Sequence, residues 1–277
     1  MDTPELVALL AGRRIAVLTG AGVSTDSGIP DYRGPDSPPA NPMTIRQFTS
    51  SREFRQRYWA RNHLGWRHMA LTEPNAGHRA LAALEDAGVV SGVITQNVDL
   101  LHTKAGSRTV INLHGTYARV VCLDCGAGMS RADLAEKLEA ANPGFTERAE
   151  TVGGLAVAPD ADATVTDTES FQFVDCPQCD GMLKPDIVYF GESVAKEVVD
   201  QAYSLVDDSE ALLVAGSSLT VFSGYRFVRH AAAHRTPVAI INLGRTRGDE
   251  LATVKVDAGC SPILTLLAEE LTGSRLP

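Results

Sequence analysis

The stretch "RIAVLTGAGVSTDSGIPDYRG" (residues 14–34) joins an apolar strand to a turn that is rich in glycine and charge. Residues 15–19 are apolar or β-branched, which is typical of a buried strand. The turn over residues 20–34 holds four glycines, two aspartates, an arginine and a proline. Glycine lets main-chain amides approach a ligand closely, and a strand that ends in such a turn usually holds an anionic group. The stretch therefore predicts an α/β fold with a ligand beyond its first strand.

Similar apolar runs recur along the chain, and each ends at a glycine or a polar cluster. They are "VVSGVITQN" (89–97), "TVINLHG" (109–115), "ALLVAGSS" (211–218) and "PVAIINLG" (237–244). Helical patterns, with apolar residues three and four apart, lie between them over residues 76–88 and 198–210. Continuous apolar strands that alternate with helices indicate a parallel sheet covered on both faces. We expect an open, doubly wound, Rossmann-like sheet with ligands at the carboxyl ends of its strands.

Two segments interrupt this alternation. Residues 41–71 are rich in aromatic residues and arginine, and residues 119–183 contain four of the five cysteines. We expect a helical module over 41–71 and a zinc-binding module over 119–183, both inserted in the larger domain. That Rossmann-like domain would consist of residues 1–40, 72–118 and 184–277.

Composition narrows the function classes. The chain has 277 residues, of which 44% are hydrophobic, so it can bury a substantial core. Its net charge of −9 argues against bulk affinity for nucleic acid or for an anionic membrane. The first residues include Asp2 and Glu5 and lack the basic start of a signal or transit peptide. We therefore expect a cytoplasmic protein that binds neither membranes nor nucleic acid directly.

The cysteines form two Cys-x-x-Cys pairs, Cys122 with Cys125 and Cys176 with Cys179. Two such pairs match a tetrahedral zinc site of four thiolates, which is structural because protein closes every position. Two disulfides are the alternative, and a reducing compartment disfavours them. We expect one structural zinc ion per chain. The fifth cysteine, Cys260, is expected to be a buried small residue or a ligand contact.

The glycine-rich turn departs from the dinucleotide fingerprint G-x-G-x-x-G. Gly20 and Gly22 fit, but Thr25 stands at the third glycine, and no acidic residue lies between Asp36 and Glu53 to bind a ribose. The site is therefore not that of an ordinary dehydrogenase. A tight turn without a ligand is the alternative, which the charged residues at positions 31 and 33 disfavour.

Candidate catalytic residues follow two neighbouring strands. Gln96, Asn97 and Asp99 come after one strand, and His114 comes after the next. A histidine can act as general base near neutral pH, and the chain shows no serine or cysteine nucleophile elbow. This pattern suggests chemistry on a bound cofactor, although a histidine taken alone is more often structural.

Taken together, the motifs closely resemble those of the sirtuins, NAD-dependent protein lysine deacylases. The shared motifs are "GAGVSTDSGIPDYRG", "TQNVDLLH", "LHGT", the two cysteine pairs, "KPDIVYFGE", "GSSL" and "INLG", in family order from residue 20 to about 262. The similarity is strongest to the class II branch, and "RQRYWARN", "TKAGSR" and "GSSLTVFSGYRF" resemble the sirtuin-four type. Acylated-lysine proteins or peptides would be the partners, and we expect a monomer.

The resemblance implies NAD contacts in four groups. The pyrophosphate would lie against Gly20, Ala21, Gly22 and Ser24. A mobile loop with Asp31, Tyr32 and Arg33 would cover the nicotinamide ribose, which Gln96 would also contact. Asn97 and Asp99, with Ile29, would shape the nicotinamide pocket. Gly216, Ser217 and Asn242 would hold the adenosine ribose, and Cys260 would lie by the adenine.

The resemblance also implies the remaining roles. Val188, Phe190, Gly191 and Glu192 would pair with the substrate backbone as an added strand. Cys122, Cys125, Cys176 and Cys179 would bind zinc far from the chemistry. His114 would accept a proton relayed from a ribose hydroxyl, so that the acyl group ends on ADP-ribose and free lysine is released.

Three alternatives to deacylation, and the acyl group itself, stay open. Mono-ADP-ribosylation would use the same NAD site, but it does not need His114. An NAD-responsive scaffold and a zinc-ribbon nucleic-acid binder are disfavoured, the first by the intact catalytic residues and the second by the net charge. Some class II sirtuins that this chain resembles remove acidic acyl groups with a tyrosine and an arginine three residues apart. Spacing matches this pair to Tyr58 and Arg61, whereas ungapped matching gives Asn62 and Gly65.

Overall fold

A computed structural model of the chain describes residues 3–32, 42–151, 163 and 168–274. The strands described there are β1 (Ile15–Thr19), β2 (Val90–Thr95), β3 (Val110–Asn112), β4 (Gly115–Cys122), β5 (Gly128–Ser130), β6 (Leu183–Ile187), β7 (Ala211–Ala215), β8 (Val238–Ile241) and β9 (Val254–Val256). The α-helices are α1 (Thr3–Leu10), α2 (Ile45–Ser50), α3 (Arg52–Leu71), α4 (Ala76–Asp86), α5 (Leu101–Lys104), α6 (Arg131–Ala141), α7 (Phe145–Thr151), α8 (Lys196–Asp207), α9 (Phe222–Ala233) and α10 (Cys260–Thr272). None of the described helices has the length and apolarity that crossing a membrane requires.

The larger sheet confirms the predicted fold class. Its six strands are all parallel and lie in the order β3-β2-β1-β7-β8-β9. The order runs outward from β1 on one side and from β7 on the other, so it reverses between these two strands. In an open parallel sheet, such a reversal leaves a crevice beyond the carboxyl ends of the two strands, which is where ligands bind.

The strands are buried on both faces, as their continuous apolar sequences predict. Every residue of β1, β7 and β8 is buried. Val17 of β1 points to the face covered by α1, α4 and α10, whereas Leu18 points to the face covered by α8 and α9. The two helical layers therefore fix the sheet between them and leave the ends of its strands for the ligand site.

The smaller lobe combines the two segments that interrupt the alternation. An antiparallel sheet in the order β5-β4-β6 packs with α2, α3, α6 and α7 around one core. Trp59 and Phe48 from the helical segment lie in the same core as Leu138 and Phe171 from the cysteine-containing segment. The two segments thus share one hydrophobic core, and the exact domain boundaries stay a prediction.

The turns after β1 and β7 touch each other directly across the crevice. The amide of Gly22 donates a hydrogen bond of 2.9 Å to the carbonyl oxygen of Gly216. Gly216 has a φ of +65°, and a Cβ added there would lie 2.3 Å from the amide nitrogen of Val23. Neither a side chain nor a water layer fits between these backbones. Glycine is therefore required at position 216 for packing as well as for conformation.

We expect Gly216→Ala to destabilise the fold by about 3 kcal/mol, because the new methyl group overlaps backbone in an already strained conformation. Gly12→Ala is the matched control, since Gly12 has a φ of +73° but no atom within 4 Å of an added Cβ. That variant should lose only about 1 kcal/mol. Urea unfolding followed by circular dichroism measures both values, and equal losses would contradict the packing argument.

Candidate active site and metal centre

A cavity of about 280 Å³ opens beyond β1 and β7, where the strand order reverses, and extends to the smaller lobe. The sequence-predicted residues that line it are Ala21, Gly22, Ser24, Ile29, Asp31, Tyr32, Gln96, Asn97, Asp99, His114, Val188, Phe190, Gly216, Ser217 and Asn242. These residues come from the ends of six different strands and the loops that follow. The volume is close to the lower end, about 300 Å³, of small-molecule sites.

Other predicted site residues lie elsewhere. Gly20, Gly191, Glu192 and Cys260 are not among the lining residues of this cavity. The prediction for Arg33 falls outside the described residues. Cys260 begins α10, where its Sγ atom lies 3.9 Å from the carbonyl oxygen of Ile241. Burial raises the pKa of Cys260 to about 12, so this thiol is a neutral part of the core.

Further lining residues were not singled out from the sequence. They include Met43, Val98, Ile187 and Tyr189, the segment 218–221 after β7 and the segment 243–245 after β8. The sequence could have indicated the last two segments by their position, because they directly follow β7 and β8, at the strand ends where we expected ligands. Ser223 was also missed, because nothing near it in the sequence connects it with His114.

The geometry around His114 defines its protonation state. Its Nδ1 atom lies 2.9 Å from the carbonyl oxygen of Gln96. A carbonyl can only accept, so Nδ1 carries the proton and Nε2 keeps its lone pair. Burial lowers the pKa of His114, and the nearby charge of Arg226 lowers it further, whereas the bond to Gln96 raises it. His114 is therefore a neutral imidazole at pH 7 with a free-base nitrogen, as a general base requires.

Ser24 lies at the centre of a buried hydrogen-bond network behind the cavity. Its hydroxyl donates to Oδ2 of Asp99 at 2.7 Å and accepts from Nδ2 of Asn97 at 3.1 Å. The other carboxylate oxygen of Asp99 accepts from the amide of Leu101 at 3.0 Å. Burial raises the pKa of Asp99, while these hydrogen bonds oppose the shift. The network holds an amide and a carboxyl group in fixed orientations at the cavity wall.

Two buried histidines support this network from behind. The Nε2 atom of His78 lies 3.5 Å from the hydroxyl oxygen of Ser24, and its ring contacts that of His102 with centroids 4.8 Å apart. The Nε2 atom of His102 lies 2.9 Å from the hydroxyl oxygen of Thr19. Burial lowers the pKa of His78 to about 4 and that of His102 well below its ordinary value. Both rings are therefore neutral at pH 7.

The segment after β6 forms the wall that faces the smaller lobe. The amide of Val188 donates to the carbonyl oxygen of His114 at 2.8 Å. Phe190 is 40% exposed and contacts the ring of Tyr32 edge to face. Glu192 accepts hydrogen bonds from the amide of Tyr189 at 2.6 Å and from Nζ of Lys184 at 3.0 Å. The carboxylate of Glu192 is thus engaged in shaping the turn that presents Phe190.

The residues considered for an acidic acyl group do not line the cavity. The hydroxyl of Tyr58 is buried 3.5 Å from that of Tyr117 and accepts from Nδ2 of Asn62. Arg61 donates from Nε to the carbonyl oxygen of Ala163 at 2.9 Å. Gly65 is buried within α3. Neither of the two candidate pairs is presented to this cavity.

The sulfur atoms of the four cysteines form one compact cluster. Sγ of Cys122 lies 3.6 Å from that of Cys179, Sγ of Cys125 lies 3.8 Å from that of Cys176, and all four lie within 4.8 Å of one another. Zinc–sulfur bonds of about 2.3 Å in a tetrahedron place neighbouring sulfurs about 3.8 Å apart. A disulfide would require about 2.0 Å. The cluster therefore fits one structural zinc ion, and all four cysteines are free of disulfides.

Comparisons with known proteins agree with this arrangement. The model of the Sir2 family matches residues 20–223. The chain is 77% identical over 271 residues to NAD-dependent protein deacetylase 1 of Mycobacterium avium (strain 104), covering 98% of this chain and 96% of that relative. It is 44% identical over 262 residues to the human NAD-dependent protein lipoamidase sirtuin-4, mitochondrial, covering 92% and 82% of the two chains.

Solved structures show the same similarity. A complex described as Sir2, p53 peptide and NAD+ has 31% identity and a TM-score of 0.78, covering 99% of this chain and 100% of that chain. The structure of Sir2Tm bound to a propionylated peptide has 30% identity and a TM-score of 0.76, covering 98% of each chain.

We expect acid to destabilise the protein through His78. Its pKa is about 4 in the fold, below its ordinary value of 6.5, so the unfolded chain binds a proton that the folded chain does not. The contribution of His78 to the free energy of unfolding is fully present above pH 6.5 and falls by about 3 kcal/mol as the pH drops to 4. Urea unfolding between these pH values should show a shallower pH dependence in His78→Gln.

The exposed His68 provides the matched control, and His68→Gln should keep the wild-type pH dependence. The raised pKa of Asp99 makes the folded protein less stable as the pH rises, which opposes the effect of His78. The pH dependence of stability is therefore compared between wild type and each variant. Equal slopes in wild type and His78→Gln would contradict the assignment.

Zinc content tests the metal centre. Cys125 and Cys179 are exposed, so Cys125→Ser/Cys179→Ser removes two ligands without disturbing the packing of the core. We expect one zinc per chain in the wild type and in Cys260→Ala, and less than a tenth of that in the double variant. Elemental analysis of purified protein measures this, and a full zinc equivalent in the double variant would exclude the site. The double variant should also unfold at a lower temperature, because the metal stabilises the small lobe.

Proposed function

Because the chain belongs to the Sir2 family, we propose that it is an NAD-dependent protein lysine deacylase acting in the cavity between β1 and β7. The reaction transfers an acyl group from lysine to ADP-ribose and releases nicotinamide. Acylated-lysine proteins or peptides are the partners. A cytoplasmic location, supported by the bacterial relatives, belongs to the same proposal.

The observation that carries this proposal is the state of His114. Its Nδ1 proton is held by the carbonyl oxygen of Gln96, so Nε2 is left as a base on a ring that lines the cavity. The low pKa that follows from burial keeps this nitrogen unprotonated at pH 7. A deacylase of this type needs a base for a ribose hydroxyl, and simple ADP-ribose transfer does not. His114 is the group to which we assign the proton.

The turn after β1 fits the phosphates of a dinucleotide. Ala21 and Gly22 line the cavity within a short 3₁₀ turn at the end of a buried strand, where main-chain amides face a ligand. The contact between Gly22 and Gly216 leaves no space for a side chain, so a ligand lies against backbone. We propose that this turn holds the pyrophosphate and that Ser217 and Asn242 hold the adenosine ribose.

The polar wall fits the nicotinamide end. Bound NAD supplies an electrophilic ribose carbon and a nicotinamide leaving group. We propose that Asn97 and Asp99 bind the carboxamide, since Ser24 orients both of them before any ligand arrives. This fixed arrangement avoids the cost of ordering polar side chains on binding.

The apolar part of the cavity supports a preference for neutral acyl groups. Ile29, Met43, Val98 and Phe190 line it together with Ile187. The charged residues in the described lining are Asp31, Asp99 and Arg245, of which Arg245 follows β8, away from the segment after β6. The pairs at Tyr58 with Arg61 and at Asn62 with Gly65 lie outside the cavity. A carboxylate would lose its hydration there without gaining a partner, which is costly. We propose that Val188 and Phe190 meet the peptide and that Glu192 shapes their turn.

A screen of acyl groups tests this function. One lysine peptide carrying acetyl, propionyl, lipoyl, long-chain acyl, succinyl or glutaryl groups in turn is incubated with NAD and the protein. We expect free lysine and O-acyl-ADP-ribose from the neutral acyl peptides, and at least tenfold lower kcat/KM for the two acidic ones. Mass spectrometry identifies both products.

His114→Ala serves as the control variant. It should lose activity by a factor of about 10² to 10⁴, the usual contribution of a general base, while NAD binding measured by calorimetry persists. Intact peptides together with ADP-ribose on protein would support the mono-ADP-ribosyltransferase instead. Full turnover by His114→Ala would remove the assigned role.

A further inference from the structure

The hydroxyl of Ser223 lies against the imidazole of His114. The distance from Oγ to Nε2 is 2.7 Å, which is short for a neutral hydrogen bond. The proton of this imidazole is on Nδ1, as the bond to Gln96 requires, so Ser223 is the donor and Nε2 the acceptor. The nitrogen expected to receive a proton during the reaction is therefore already bonded to a hydroxyl.

The hydroxyl of Ser223 is not used by its own helix. Ser223 lies in the first turn of α9, where serine commonly caps a helix, but this helix has Val221 at its N-cap and no side-chain capping bond. Within the part of the chain that the structure describes, the imidazole of His114 is the hydrogen-bond partner found for this hydroxyl. The contact is thus a specific feature of the site and not a by-product of helix capping.

The next residue determines how closely the helix approaches. A Cβ added to Gly224 would lie 2.1 Å from Oε1 of Gln96, so glycine lets the start of α9 pack directly on that side chain. Gln96 also accepts the Nδ1 proton of His114 through its carbonyl oxygen. Gln96 therefore positions the imidazole through its backbone carbonyl, and its side chain contacts the helix that carries Ser223.

We propose that Ser223 is a positioning residue for the deacylation reaction, holding the ring of His114 with Nε2 directed to the place of the reacting hydroxyl. With Gln96 on one nitrogen and Ser223 on the other, rotation of the ring about χ2 would break two hydrogen bonds in a largely buried site. The substrate's ribose hydroxyl is the same kind of donor as Ser223 and takes its place at Nε2 only as the proton is transferred, so Ser223 orients the ring in the bound complex up to that step. This inference rests on the proposed function, because it requires a ribose hydroxyl as the proton source.

A measurement without any ligand tests the contact itself. Nitrogen-15 NMR of histidine-labelled protein distinguishes a hydrogen-bonded from a free imidazole nitrogen. In Ser223→Ala the Nε2 resonance of His114 should move towards that of an unbonded nitrogen, and Ser223→Thr should restore it. The exposed Ser204 on α8 provides the control, Ser204→Ala. An unchanged resonance in Ser223→Ala would overturn the proposal.

Kinetics then separate positioning from a structural effect. Exchange of free nicotinamide with NAD precedes the step that uses His114, whereas deacylation includes it. We expect Ser223→Ala to lower kcat for deacylation about tenfold, the effect of one lost hydrogen bond, with exchange and both KM values within about twofold of wild type. Ser223→Thr should recover most of the rate.

The double variant Ser223→Ala/His114→Ala should be no slower than His114→Ala, because Ser223 acts through that ring. Equal losses of exchange and deacylation in Ser223→Ala would instead show a structural role and overturn the proposal. If the wild-type protein releases no lysine from any peptide, the proposed function fails, and the NMR comparison still decides whether Ser223 holds the imidazole.

Discussion

The hydrogen bond between the amide of Gly22 and the carbonyl oxygen of Gly216 is the contact on which the rest of the site depends. It joins the turn after β1 to the turn after β7 and so sets the width of the crevice where the strand order reverses. Ser217, next to this contact, accepts a hydrogen bond from Gln96 at 3.0 Å. Gln96 in turn accepts a hydrogen bond from His114, so the turn after β1 and His114 are connected through a short series of main-chain and side-chain bonds. A change in the glycine contact would therefore alter both ends of the cavity.

Burial of polar groups around the cavity determines their chemistry. Desolvation lowers the pKa values of His78, His102 and His114 and raises that of Asp99, which in each case favours the neutral form. Neutral groups cost less to bury, and they keep defined donor and acceptor roles. For His114 this keeps Nε2 unprotonated, so that it accepts the hydrogen bond from Ser223, and for His78 it gives support to Ser24 without adding charge behind the cavity. The same burial makes the network sensitive to acid.

The smaller lobe acts on the site through β4 and β6. These strands pair with each other, and after β6 the amide of Val188 binds the carbonyl oxygen of His114. One core, formed jointly by the helical and the cysteine-containing segments, supports this sheet. The ion pair of Lys184 with Glu192 then fixes the turn that exposes Phe190 at the cavity. Cys122 and Cys176 of the metal cluster lie in this core, and none of the four cysteines lines the cavity.

The sequence by itself determined the parallel sheet, the edge of that sheet at which the cavity opens and the cluster of four cysteines. Strand periodicity, glycine-rich turns and Cys-x-x-Cys spacing are local properties, and each is set by residues a few positions apart. Only the tertiary structure decided that Ser223 bonds to His114 across 109 residues of sequence, that Gly216 excludes a side chain because of Val23, and that Glu192 is engaged in a turn. It also decided that Cys260 belongs to the core and that the two inserted segments share one interior. These features arise where strands and helices that are distant in sequence pack together. The local conformational preference of a residue does not indicate which distant residue it will contact.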